Sequence, residues 1–181
     1  LDGNTAAYAG GLLASAVSTV TVRRSTISRN VAQGLFLGAN GGGLMARAGA
    51  MVTLVNATVS SNRALNGGGG LFADGAYGLY PAPTIRLTNV TVAFNVANPN
   101  GNGGAGGGLH QAAATGFVLQ NTIVSGNLVQ GASGECSGNA AASLGHNLLR
   151  TGGCIGSVQP GDLVGLDPLL HPYLHDNGQG W

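Results

Sequence analysis

Charge is scarce in this chain. Only 7% of its 181 residues are charged, and because lysine does not occur, all 7 basic residues are arginine. Aromatic residues account for 5%. Binding of nucleic acid needs a basic stripe with aromatic residues between the charges. These arginines are scattered along the chain, and we therefore exclude nucleic acid as a partner.

Long apolar runs and helical repeats are missing as well. No apolar run approaches the length of a membrane span, so the sequence predicts no membrane-spanning segment. No stretch places Ala, Leu, Glu and Lys at helical spacing, as helical repeat proteins require. Glycine instead supplies 34 residues, which favours short strands joined by tight bends.

What the chain does contain is a phrase that occurs four times and closes on an asparagine. The closing residues, separated by 32, 33 and 32 positions, are Asn30, Asn62, Asn95 and Asn127. Apolar residues two apart precede each of them, which is the strand period. A constant period of this length is typical of a solenoid, in which stacked repeats bury a shared apolar face. The sequence therefore predicts an all-β fold, a parallel β-helix of about five to six coils.

Two further ladders follow the same period. Six residues before the closing asparagine stand Asn56, Asn89 and Asn121, whose amides we expect to hydrogen-bond along a column. A glycine run followed by leucine also recurs, and the leucines that we expect in the core are Leu12, Leu44, Leu71 and Leu109. The core should also contain Val22, Leu54, Leu87 and Leu119, because they share one strand face.

The chain has two cysteines, Cys136 and Cys154, and both follow the regular repeats. We interpret the pair as a disulfide of an exported protein. A redox pair or a metal site stays open as an alternative, although neither a C-x-x-C spacing nor clustered histidine supports it. The sequence thus predicts a single domain, with regular coils over residues 1–135 and a degenerate final coil and tail over 136–181.

The repeat phrase resembles those of the polymorphic outer-membrane-protein type, with Ile or Val where that family has Phe. From Cys136 onward the chain resembles more closely the end of bacterial right-handed β-helix surface proteins of the choice-of-anchor Q kind. The phrases that carry this resemblance are Ser143–Leu149, Gly161–Leu170 and Asp176-Asn177-Gly178. The resemblance implies a right-handed helix, a disulfide, and export to the outside or the surface of a bacterial cell. It implies no catalytic residue.

Acidic residues are too few and too dispersed to favour an enzyme. A β-helix that cleaves polysaccharide needs two or three neighbouring carboxylates, or a Ca²⁺ site with a basic residue. None of the 6 acids recurs at the repeat spacing: Asp2, Asp74, Glu135, Asp162, Asp167 and Asp176. We interpret them as solvated surface charges and expect neither catalytic residues nor a cofactor.

Histidine offers one local cluster that could bind a metal, His171 and His175 with Asp167 and Asp176. Pro172 argues against the two histidines sharing a helical face, and we expect no metal site. His110 and His146 stand in repeat-like phrases, where structural placement is expected.

Two functions remain from different classes. The first is a non-enzymatic structural or adhesive surface protein, which associates end to end or belongs to a larger surface assembly. The opening phrase Leu1-Asp2-Gly3-Asn4 matches the end of a repeat, so we expect a piece of a longer protein or array. The alternative is a β-helix that binds or degrades polysaccharide beside the loops Asp74–Pro83 and Asn98–Gly104. Tyr77 and Tyr80 are its candidate glycan contacts. Converging acids would favour this alternative, and scattered acids the first.

Overall fold

Short strands and tight bends make up the protein. The computed structural model describes residues 1–34, 38–101, 105–112 and 116–171. Within them the one helical element is a 3-10 turn over Gly152–Cys154. The strands, in chain order, are β1 Thr5–Ala6, β2 Leu12–Ala14, β3 Thr19–Arg23, β4 Thr26–Ser28, β5 Val31–Ala32, β6 Leu44–Ala46, β7 Met51–Ser60, β8 Arg63–Ala64, β9 Leu71–Ala73, β10 Thr84–Ala93, β11 Val96–Ala97, β12 Leu109–Gln111, β13 Phe117–Gln120, β14 Ile123–Ser125, β15 Leu128–Val129, β16 Ala132–Ser133, β17 Cys136–Gly138, β18 Ala142–Ser143, β19 Leu148–Leu149 and β20 Leu163–Val164.

The strands form three sheets, to each of which successive repeats contribute in turn. A 5-stranded sheet has the order β17-β12-β9-β6-β2, and a 6-stranded sheet has the order β1-β5-β8-β11-β15-β16. The third, 9-stranded sheet contains the long strands β7 and β10. The named strand pairs are parallel, apart from β15 with β16. Pairing between equivalent strands of successive repeats explains why the sequence period is constant.

Register follows the apolar pattern of the long strands. Leu87 on β10 lies opposite Leu54 on β7 and opposite Leu119 on β13. All three leucines have no exposed surface, while Val22 at the first repeat is half-buried. A slip of one residue would turn this row of side chains to solvent, so burial fixes the register.

The recurring glycine-leucine phrase forms the corner that leads into the 5-stranded sheet. Leu44, Leu71 and Leu109 are buried, and Leu12 packs against the same core. Glycine is required just before them because the next repeat lies close: a Cβ on Gly42 would be 2.3 Å from the Gly69 carbonyl oxygen. The corner therefore combines close backbone approach with a buried leucine.

The expectation of an all-β protein with parallel sheets is confirmed. Strands β17, β18 and β19 continue two of the sheets beyond residue 135, although each has only two or three residues. None of the helical structure in the described ranges has the length and apolar character needed to cross a membrane.

Candidate functional site

The closing asparagines form one buried column, which we call the inner column: Asn30, Asn62, Asn95 and Asn127. Each Oδ1 accepts two hydrogen bonds from the asparagine of the preceding repeat. Asn62, for example, receives the Asn30 backbone N–H at 3.0 Å and the Asn30 Nδ2 at 2.9 Å. The remaining Nδ2 hydrogen goes to a backbone carbonyl, that of Ile27 in the case of Asn62. Since every donor is used, the column carries buried polar groups without leaving them unsatisfied.

The backbone before each inner asparagine adopts the left-handed conformation. Its members are Arg29, Ser61, Phe94 and Gly126, with φ between 53° and 72°. This bend turns the asparagine inward. Gly126 also lies under the ring of Phe94, since a Cβ there would be 2.8 Å from a ring carbon. Three of the four positions accept an ordinary side chain at the cost of strain.

The inner column begins at Asn4 and ends at a carboxylate. Asn4 donates its N–H and Nδ2 to Asn30 Oδ1 at 3.0 and 2.9 Å. At the other end, Glu135 Oε2 accepts the N–H and Nδ2 of Asn127, and Oε1 accepts the Gly126 N–H. Interpreting Glu135 as a solvated surface charge was wrong, because only 1% of it is exposed. A carboxylate accepts but does not donate, so the column stops there.

The second set of asparagines forms an exposed outer column: Asn56, Asn89 and Asn121. Asn89 Nδ2 donates to Asn56 Oδ1 at 2.9 Å, and Asn121 Nδ2 donates to Asn89 Oδ1 at 2.6 Å. All three have φ near +50°, as does Arg24 at the equivalent place in the first repeat. Asparagine suits this position because it tolerates the left-handed conformation and bonds along the column.

A second column ending in a carboxylate lies nearer the C-terminus. The Thr122 N–H donates to Asn147 Oδ1 at 3.0 Å, and Asn147 in turn donates its N–H and Nδ2 to Asp162 Oδ1 at 2.8 and 2.9 Å. Burial alone would raise the pKa of Asp162. Hydrogen bonds from Ser143, Gln159 and Asn147 outweigh it, so the pKa lies below its usual range.

The two cysteines form a disulfide, as predicted. Cys136 opens β17 and Cys154 ends the 3-10 turn, 18 residues later. Cys154 is buried and belongs to the main core, against which Cys136 packs. The bond therefore fastens the irregular segment to the last repeat.

His110 forms the most enzyme-like contact in the described chain. Its ring stacks on Phe72 with centroids 4.9 Å apart, and Nδ1 lies 2.6 Å from Ser137 Oγ. Burial lowers the pKa of His110, while a hydrogen bond to the Ala105 backbone and the charge of Asp74 oppose that shift. Glycine backbone covers the pair, however: a Cβ on Gly106 would be 2.7 Å from Ser137 Oγ. A substrate would have little room beside that oxygen, and the contact fits a packing role.

Tyr77 and Tyr80, the candidate glycan contacts, are neighbours in space. They face each other across a two-residue turn, with Tyr77 N–H donating to the Tyr80 carbonyl at 3.1 Å and the reverse bond at 3.0 Å. The two residues are 60% and 45% exposed. The guanidinium carbon of Arg47 lies 4.9 Å from the Tyr77 ring centroid.

The remaining acids lie apart from one another. Asp2 pairs with Arg29, and Asp167 pairs with Arg150. Hydrogen bonds from Ser28 and Arg29 lower the pKa of Asp2. In the described part of the chain no three His, Cys, Asp or Glu residues come close enough to hold a metal ion. His175 and Asp176 lie outside the described residues, as does part of the loop Asn98–Gly104.

Comparison with known proteins gives no relative. No family model, no curated protein and no solved structure matches this chain. Its function must therefore be argued from its own residues.

Sequence reasoning missed the two carboxylates that end the columns. Glu135 offers one signal, since it is the only glutamate and stands 8 residues after Asn127. Asp162 offers no such signal. The spacing is 25 residues from Thr122 to Asn147 and 15 residues from Asn147 to Asp162, and both differ from the repeat period.

Proposed function

We propose that this protein is an exported, non-enzymatic structural or adhesive protein, built as a right-handed parallel β-helix. The observation that carries the proposal is the place of the acidic side chains. Glu135 and Asp162 end hydrogen-bonded columns, and Asp2 and Asp167 form surface ion pairs. Acid-base catalysis of polysaccharide cleavage needs carboxylates that converge in one cleft. Glu135 and Asp162 hold the stack together instead, and Asp2 and Asp167 lie at the surface.

The β-helix proposal rests on the order of the sheets. One repeat of about 32 residues supplies a strand to each sheet in turn, and its equivalents pair in parallel with the repeats before and after. A chain that passes through three sheets in this order winds as a solenoid. The disulfide supports export, because such bonds persist in oxidising compartments. Location at a bacterial surface rests on the resemblance of the C-terminal phrases.

Association through one end of the stack has its own support. Strand β3 pairs with β7 alone among the described strands, which leaves its other edge open. Val20 and Val22 on β3 are only half-buried against the core. An open parallel edge is a template for pairing. We infer that a strand of a second subunit or of a larger surface assembly pairs with this edge of β3.

The test combines an assay with an image of the molecule. Purified protein incubated with a panel of polysaccharides should release no reducing ends and no unsaturated products, and electron microscopy should show rods or fibres. Turnover that disappears in Asp74→Asn, and persists in Asp167→Asn, would overturn the non-enzymatic proposal. Globular particles at every concentration would overturn association into rods.

A further inference from the structure

We propose that Arg47, Tyr77 and Tyr80 form a binding site for a carboxylated sugar. The inference rests on the proposed adhesive function and gives it a ligand class. The three residues come from two different repeats, since Arg47 follows β6 while both tyrosines lie on the loop after β9. The fold therefore places the Arg47 cation over the Tyr77 ring, 30 residues later in the chain, and pairs the backbone of Tyr80 with that of Tyr77.

Arg47 is a half-buried cation without a carboxylate partner. The two ion pairs of the described chain are Arg29–Asp2 and Arg150–Asp167. Arg47 Nε is sealed from solvent and makes no hydrogen bond. Asp74, on the next repeat, makes no ion pair with Arg47 and accepts from the Gly75 N–H. A guanidinium in this state gains from an anion that reaches its terminal nitrogens, because charge-assisted pairs strengthen as water is excluded.

The tyrosines present flat apolar faces that are already positioned. Two backbone hydrogen bonds close the hairpin around Gly78 and Leu79, and Gly78 supplies the positive φ of +59° that the turn needs. The Arg47 guanidinium lies over one face of the Tyr77 ring, and Tyr77 as a residue is still 60% exposed. Because the two hydrogen bonds of the hairpin hold the backbone of both tyrosines before a ligand arrives, binding costs little backbone entropy there, which favours affinity.

The surroundings favour a sugar over other anions. A Cβ on Gly49 would be 2.9 Å from a Val17 methyl carbon and 3.2 Å from the Pro81 ring, so apolar groups adjoin the segment after Arg47 and the loop after Tyr80. Val17 and Leu79 are exposed, at 59% and 102%, and Arg47 is the one arginine of the described residues that lies over a tyrosine ring. Nucleic acid would need several cations in a row. A pyranose carries an apolar face that can lie on an aromatic ring, and a uronic acid adds one carboxylate that suits one guanidinium. One cation beside exposed rings matches that ligand.

The experiment compares acidic with neutral oligosaccharides on the intact chain. Oligogalacturonate and galacto-oligosaccharide of equal length are titrated against the protein by calorimetry, at low and high salt. Oligogalacturonate should bind at least tenfold more tightly than the neutral sugar, with an affinity that falls as salt rises. Equal affinity for both sugars, or no binding of either, would overturn the proposal.

Variants locate the site. Arg47→Gln and Tyr77→Ala should each weaken oligogalacturonate binding about tenfold or more, in line with a lost charged or stacking contact. Arg86→Gln is the matched control, because Arg86 is an exposed arginine on a strand of another sheet. If Arg86→Gln weakens binding as much as Arg47→Gln does, the attraction is unspecific charge and the site is wrong.

Failure of the sugar-site proposal and failure of the proposed structural function would give different results. Absence of binding by folded protein that still forms rods leaves the structural proposal intact and removes the sugar site. Binding accompanied by cleavage of oligogalacturonate would instead overturn the non-enzymatic proposal. Binding of a peptide with a free C-terminal carboxylate at equal strength would replace the sugar with another carboxylate ligand and overturn the ligand class.

Discussion

The repeats up to Asn127 and the segment from Glu135 to Val164 are stacked by different means. In the repeats, strands of up to 10 residues pair along most of their length, and one buried asparagine per repeat links each repeat to the next. In the later segment, strands of two or three residues are held by a disulfide and by two carboxylates.

The difference comes from the hydrogen-bond donors and acceptors that each polar side chain carries. In the inner column each asparagine amide donates to the next repeat and accepts from the previous one, so an asparagine can occupy every level of that column. A carboxylate accepts only, so it can occupy just the last level. Glu135 takes three N–H donors and returns none. The chemistry of these side chains therefore gives the inner column a direction.

The largest effect is expected when a carboxylate replaces an asparagine in the middle of the inner column. In Asn62→Asp, a carboxylate oxygen would replace the Nδ2 that now donates to Asn95 Oδ1 and to the Ile27 carbonyl, so it would face two acceptors. An uncompensated buried charge costs about 3–5 kcal/mol, and we expect that loss in chemical denaturation. The reverse change, Glu135→Gln, should cost less, about 1–3 kcal/mol, because it turns one acceptor into a donor.

Asn56→Asp is the control for this pair of variants. It introduces the same carboxylate into the exposed outer column, where Asn56 Oδ1 only accepts from Asn89. We expect a change within about 0.5 kcal/mol. A cost for Asn56→Asp equal to that of Asn62→Asp would show that burial and column direction are irrelevant.

The second prediction compares matched leucines in the two regions. Leu87 and Leu149 are both fully buried, but Leu87 lies on a 10-residue strand and Leu149 on a two-residue strand. Leu87→Ala should cost about 2–5 kcal/mol, since long paired strands cannot collapse into the cavity. Leu149→Ala should cost measurably less in the same denaturation experiment. Equal costs would mean that both regions are equally rigid.

The parts of the fold and of the candidate site that could be predicted from the sequence are those that repeat. The inner and outer asparagine columns and the buried leucines recur at about 32 residues, so their place in the stack follows from the period. Glu135, Asn147 and Asp162 occur once each at other spacings, and tertiary contacts set the path of the chain there. The stacking of His110 on Phe72 could not be predicted from the period either. The positions that align with His110 in the neighbouring repeats carry Phe72 and Ser137, so no residue type recurs there.

The tyrosine hairpin shows another limit of sequence reasoning. Tyr77 and Tyr80 could be proposed as ligand contacts from their place in a long loop. Their neighbour Arg47 could not, because it lies in the preceding repeat and reaches them only through stacking. A contact between repeats of different loop length has no fixed spacing in the sequence.

The third prediction concerns the disulfide. Cys136 and Cys154 close a loop of 18 residues, and removing such a link costs about 3 kcal/mol. In a Cys136→Ala, Cys154→Ala variant, hydrogen exchange should accelerate most at the Leu149 amide, while the Leu54 amide stays protected. Uniform acceleration at both amides would show that the two regions unfold as one unit.

The smallest effect we expect is a loss of stability in acid that belongs to the later segment. The pKa of Asp162 is lowered in the folded protein, chiefly because four hydrogen bonds to its carboxylate outweigh the effect of burial. A group of this kind stabilises the fold fully above its unfolded pKa of about 3.9, and the contribution disappears as the pH falls through the lower folded pKa. The midpoint temperature of thermal unfolding of the wild type should therefore fall below about pH 4. In Asp162→Asn the midpoint should fall less steeply with pH. Asp167→Asn is the control, because Asp167 is an exposed acid in a surface ion pair, which is worth little. A decline of the same steepness in wild type and Asp162→Asn would show that the acid sensitivity lies elsewhere, and that the second column does not depend on its terminal carboxylate.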